Sequence, residues 1–146
     1  MSDPYNLQRF VDAQAPVYEQ VTRELRDGRK STHWMWFIFP QLRGLGRTAT
    51  AQHYGIASQA EARAYLMHPI LGARLRECVR LLADLPGRHS STEILGSIDA
   101  LKLRSSMTLF AHATDSRTDR ALFDEVLNRY YDGESDRHTL AMLTAD

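Results

Sequence analysis

Two stretches of the chain hold side chains that could do chemistry. The first runs Gly28-Arg29-Lys30-Ser31-Thr32-His33-Trp34-Met35-Trp36-Phe37-Ile38-Phe39-Pro40-Gln41 and contains both tryptophans. Its His33, Trp34 and Trp36 follow a basic cluster of Arg26, Arg29 and Lys30. Aromatic faces beside cations can sandwich a planar ligand such as a base or a nicotinamide. His33 could serve as acid or base, because imidazole titrates near neutral pH. The competing reading is packing, with each indole N–H finding a backbone acceptor inside a core.

The second stretch is Asp99-Ala100-Leu101-Lys102-Leu103-Arg104-Ser105-Ser106-Met107-Thr108-Leu109-Phe110. On a helix, Asp99, Lys102 and Ser106 share one face, with Ser105 beside them. A lysine whose pKa is lowered by burial can activate a serine hydroxyl. The alternative is a structural Asp99–Lys102 pair, with both serines bonded back to helix carbonyls.

Nothing else in the chain carries a chemical signature. The histidines, His33, His53, His68, His89, His112 and His138, have no metal-ligand spacing, and no Cys-x-x-Cys exists, so no metal site is expected. Gly44-Leu45-Gly46 lacks the rest of a dinucleotide fingerprint and counts as a turn. No motif for a cofactor is present. Cys78 falls on an apolar helix face with Leu71, Leu75 and Leu82, where a thiol is a small inert hydrophobe.

The elements that must position these residues read as helices. Steps of three and four link Leu7, Phe10 and Val11, then Val17, Tyr18, Val21 and Leu25. A short helix over 7–15 is expected first. A second follows, with Pro16 in its first turn and Gly28 as its stop. Ser31 or Thr32 could cap the next piece. The wholly apolar run Trp34–Phe39 is ambiguous by period, and helix is favoured because no partner strand is evident. Gly44 and Gly46 then mark a loop.

Ser58 with Glu61 and Ser90 with Glu93 form capping boxes. The first opens a helix to about Met67, and the second a turn or two ending near Gly96. Between them a helix starts at Pro69 and carries Leu71, Leu75, Cys78, Val79, Leu82 and Leu85 on one face. Ser97 could cap a helix over 98–113. Leu122 to Tyr131 mark another, closed by Gly133, and Asp136 could cap a last one through Leu143. The expected fold is all-α: a single domain over 1–146, an irregular multihelical bundle of about seven or eight helical segments.

The whole-chain balance narrows the class. A chain of 146 residues with 43% hydrophobic and 25% charged side chains has enough apolar surface for one core and too much for disorder. Lys plus Arg and Asp plus Glu are 18 each, so the zero net charge argues against nucleic acid as a partner. The first residues carry no secretory signal, and the longest apolar run is far short of the roughly 20 residues that span a membrane. One cysteine and no leader point to the cytoplasm. Oligomeric state has no signature here.

The chain resembles the domain-of-unknown-function 1810 family of bacterial and fungal proteins. The resemblance covers Phe10 to Leu143. It is carried by Gly28-Arg29-Lys30, His33-Trp34-Met35-Trp36-Phe37 and Phe39-Pro40-Gln41, and by Tyr54-Gly55-Ile56, Glu61-Ala62, Tyr65-Leu66 and Leu71-Gly72 with Arg74-Leu75. Further on it includes Asp99, Lys102-Leu103, Ser105 to Phe110, Tyr130, Gly133 and Asp136. It implies a mainly helical fold and brings no activity with it. Some relatives carry the label calpastatin, which names a disordered, repetitive inhibitor; this chain is neither.

Two functions fit the residues. One is a small-molecule pocket, with a nucleotide-like ligand as the candidate, formed if the two stretches meet. Candidate catalytic groups would then be His33, Lys102, Ser105 and Ser106, and candidate ligand-binding groups Trp34, Trp36, Gln41, Tyr54, Arg29 and Lys30. The other is a protein- or nucleic-acid-interaction module using a Trp/Arg face, since Arg23, Arg26, Arg29, Lys30, Arg43 and Arg47 outnumber Glu24 and Asp27 locally. A pocket gathers His33 and Lys102 around one cavity. An interaction face leaves the Trp–Arg region flat and exposed.

Overall fold

A computed structural model describes residues 2–144. The segments that read as amphipathic in the sequence form α1 (Gln8–Gln14), α2 (Tyr18–Asp27), α5 (Gln59–Met67), α6 (Leu71–Ala83), α8 (Ser97–Ala113), α9 (Arg117–Tyr131) and α10 (Arg137–Thr144). Three single-turn helices complete them: α3 (Met35–Ile38), α4 (Ala49–His53) and α7 (Ser91–Leu95). The expected seven or eight segments are therefore corrected to ten among the described residues. Helix α4 accounts for part of the difference. It buries no side chain, so it has no apolar stripe to read, and only Thr48, whose hydroxyl accepts from Ala51 N–H, marks its start.

Local chemistry explains most boundaries. Ser58 Oγ accepts from Glu61 N–H at 3.1 Å and Ser90 Oγ from Glu93 N–H at 3.0 Å. Glu61 returns its bond to Ala57 N–H, one residue before the position a capping box implies. Ser116 caps α9, and Asp136 Oδ2 accepts from both Thr139 N–H and Thr139 Oγ1–H at the head of α10. Gly28 ends α2 in the left-handed region, φ 71°. Three expectations shift. Pro16 lies in the turn before α2, which opens at Tyr18. Neither Ser31 nor Thr32 caps α3, whose N-cap is Trp34 without a side-chain bond. Ser97 is already helical, and the N-cap of α8 is Gly96.

Helix α8 is the axis of the domain. It packs on α5, α7, α9 and α10, while α6 lies against α2, α5 and α9. Its second half is buried on almost every side through Leu103, Met107, Leu109, Phe110 and Ala113, as a central helix requires. Each such large apolar side chain contributes roughly 1.5–3 kcal/mol by leaving water. Its first turns differ: Ile98 and Leu101 are 71% and 64% exposed. The only β-type pairing among the described residues is a single parallel bridge, Leu42 to Ile56. It ties the segment after α3 to the segment after α4. No helix among those residues is long and apolar enough to cross a membrane.

Cys78 is fully buried in α6, and burial pushes its thiol up to about 12, a shift only partly offset by the Tyr18 hydroxyl 3.9 Å away. A thiol reagent at pH 8 should label the native protein at least about 100-fold more slowly than the urea-unfolded chain. Equal rates would show that α6 is turned the other way.

Candidate functional site

The two stretches of interest meet. The turn between α2 and α3, which carries Lys30 and His33, lies against the start of α8. Between them is a cleft of about 410 Å³ lined by Lys30, His33, Trp36, Ile98, Asp99 and Lys102, together with Met35 and residues 95–97. A second cleft, of about 580 Å³, lies further along α8. One side is formed by Gln41 and the segment 45–51, and the other by Asp136 and His138 at the head of α10. Ile98, Leu101, Lys102 and Ser105 come from α8. Ile98 and Lys102 belong to both clefts.

Lys102 is the pivot of the arrangement. Its ammonium lies 5.0 Å from the centre of the half-buried Trp36 ring and 3.6 Å from Asp99 Oδ1. Asp99 has a closer partner in Lys30, at 3.0 Å, and the Lys30 ammonium in turn sits 5.1 Å from the Trp34 ring. Two ammonium groups thus share one carboxylate, leaving one unit of positive charge in a partly desolvated cleft. The Asp99–Lys102 pair expected as a structural feature is present, but it is the weaker half of a three-member cluster.

The two tryptophans divide. Trp36 faces the first cleft. Trp34 is buried, and its indole N–H donates to Glu24 Oε1 at 3.0 Å. Glu24 also accepts from Ser31 N–H, Thr32 N–H, Thr32 Oγ1–H and Gln20 Nε2–H. Burial alone would raise its pKa, yet the bonds from the Thr32 hydroxyl, Ser31, Gln20 and the Thr32 amide together bring it down to about 2. This carboxylate fixes the turn that presents Lys30 and His33, and it was legible in the sequence only as an acid opposing a basic cluster.

Other candidates separate from the clefts. Tyr54 packs at an angle against Phe10, Phe37 and His53, at centroid distances of 5.8, 5.4 and 4.6 Å, and lines neither cleft. Arg29 is exposed and also lines neither. Ser105 reaches the second cleft, but its hydroxyl donates to Leu101 O at 3.2 Å. Ser106 is fully buried, and its Oγ has no partner among the described residues. Neither serine is hydrogen-bonded to Lys102, so a lysine-activated serine is not assembled in this conformation. No cluster of three or more potential metal ligands exists among the described residues.

The sequence reading missed Ile98, Leu101, Arg47, Thr48, Asp136 and His138 as cleft residues. Its one available signal was that Ile98 and Leu101 fall on the face of α8 away from Leu103, Met107 and Phe110. A further groove of about 320 Å³ between α2 and α6, lined by Arg26, Glu77 and Arg80 among others, gathers none of the candidate groups.

A single helical domain with an open, cation-lined double cleft is thus the class of protein in hand. The chain belongs to the DUF1810 family, described as proteins of unknown function, whose family model matches residues 4–143. It is similar to the conserved hypothetical protein Rv1873 from Mycobacterium tuberculosis, known from a crystal structure. The two are 57% identical over 97% of this chain and 99% of that one, with a TM-score of 0.92. The search of curated proteins returned no match.

Proposed function

We propose that this protein binds a small nucleotide-like molecule in the cleft between Trp36 and Lys102. The observation that carries the reading is the Lys102 ammonium poised 5.0 Å over the Trp36 ring, inside a cavity and beside a carboxylate it must share. A planar ring stacks on the indole face, and an anionic group meets the surplus positive charge. His33, at the rim, is the group able to give or take a proton from such a ligand. The free, buried Cys78 agrees with a reducing cytoplasm as the working environment.

Protein interaction is the second reading. Ile98 and Leu101 favour it, because two large exposed apolar side chains in consecutive turns are the kind of patch that partners cover. The buried Trp34 and the cleft around Lys102 weigh against a flat Trp/Arg face.

A thermal-shift titration with nucleoside monophosphates tests the reading, because binding to the native state raises the melting temperature. Lys102→Met should weaken binding by at least about 10-fold, the loss of one charge-assisted bond to the ligand's anionic group. It should change stability by less than about 1 kcal/mol, because Asp99 keeps Lys30 and the pair is a partly screened one. A variant that melts several degrees lower in the absence of any nucleotide would instead make Lys102 a structural residue.

A further inference from the structure

We propose that the two clefts are one bipartite site, built for a nucleotide that continues through a pyrophosphate bridge into a second, hydroxylated group. This rests on the ligand-pocket reading above. The base end lies on Trp36 in the first cleft, the bridge crosses α8 at Lys102, and the distal group occupies the second cleft.

The argument begins with the shared residues. Lys102 and Ile98 line both clefts, so a ligand in one is in contact with the boundary of the other. Two separate anions would compete for one ammonium, whereas a bridging anion uses it once. The volumes agree: about 410 and 580 Å³ each fall in the range of a small-molecule site. A mononucleotide has work for only the first.

The second cleft has the chemistry of a sugar or nucleoside site rather than of another phosphate site. Asp136 Oδ2 is taken up by Thr139, but Oδ1 makes no bond among the described residues and is left to accept from a hydroxyl. The Gln41 amide and the Thr48 hydroxyl stand on the opposite side, the latter already accepting from Ala51 N–H with its own proton left to donate. The floor is apolar. Ile98 and Leu101 are the exposed apolar pair on α8, and a sugar or base lying over them buries what is otherwise bare. Arg47 adds a cationic donor at the rim, and His138 an imidazole.

The experiment is calorimetric titration of the full chain at fixed ionic strength with ADP, ADP-glucose and NAD. ADP has the bridge without a distal group, so it is the reference. The expected result is that ADP-glucose or NAD binds at least about 10-fold more tightly than ADP. Leu101→Glu, at an exposed position where the fold is not at stake, should bring that ratio close to one by placing a charge on the floor of the second cleft. A gain with ADP-glucose alone assigns a nucleotide sugar, and a gain with NAD alone assigns a dinucleotide. Equal affinity for all three in the wild-type chain overturns the bipartite site while leaving the nucleotide pocket standing. So does a ratio that Leu101→Glu leaves unchanged. Absence of binding by all three overturns both.

Discussion

Glu24→Gln should destabilise the protein by about 3 kcal/mol at pH 7 and flatten the acid limb of its stability profile. The carboxylate accepts five hydrogen bonds, four from the turn that follows α2 and one from Gln20. An amide of the same shape presents an N–H₂ group to donors it cannot accept from, so buried N–H groups are left unpaired. The sign of the pH effect follows from the shift. The folded-state pKa is about 2 against an ordinary value of 4.5, so the group is depressed in the native state. Its contribution is fully present above pH 4.5 and is lost as pH falls from there through 2. Integrated over that gap, it amounts to about 3 kcal/mol at roughly 1.4 kcal/mol per pKa unit.

Urea unfolding at pH 7 and at pH 3 checks it. The wild type should lose more stability between the two than Glu24→Gln does. Parallel losses would mean that Glu24 is not the group that titrates. The variant should also weaken nucleotide binding, because Lys30 and His33 hang on the turn it secures.

What the sequence could reveal followed from how local the determining physics was. The capping boxes at Ser58 and Ser90 were legible because their partners lie three residues away. The apolar face of α6 was legible because its stripe repeats within one helix. The meeting of His33 and Lys102 was left open by the sequence, because nothing local ties the turn after α2 to α8; the structure leaves His33 exposed beside the cleft and Lys102 half-buried. The division of labour between Trp34 and Trp36 was not legible. Every neighbour in that run is apolar, so no phase can be read, and the choice is made by Glu24 on another helix. The second cleft was hidden for a similar reason. Its walls come from the segment 45–51, the head of α10 and α8, which are far apart in the sequence. Tyr54 looked like a ligand contact because it lies in a distinctive motif, yet that motif serves an aromatic cluster with Phe10 and Phe37.

Arg9→Met should cost about 3–5 kcal/mol, the range for breaking one side of a buried ion pair. Arg9 and Glu61 are almost fully covered, with side chains 7% and 3% exposed and a 2.8 Å contact. Arg9 also donates to the carbonyls of Tyr5, Asn6, His53 and Gly55, so five acceptors from three segments converge on one guanidinium. Methionine fills the volume and satisfies none of them. Lysine should rescue little, since a single ammonium cannot span acceptors laid out for a planar fork.

The double variant Arg9→Met with Glu61→Gln separates the stranded charge from the lost carbonyl bonds. It should be more stable than the sum of the singles by at least about 1 kcal/mol, a coupling typical of residues in contact. Strict additivity would show that Glu61 is satisfied without Arg9, by Ala57 N–H alone. The effect should reach the second cleft. His53 and Gly55 are continuous with Ile56, whose N–H donates to Gln41 O and whose carbonyl accepts from Arg43 N–H. Loosening that bridge frees the Gln41 and 45–51 side of the cleft. Amide exchange over 48–56 should therefore accelerate in Arg9→Met by more than the global loss of stability accounts for, while the buried half of α8 accelerates only by the global amount.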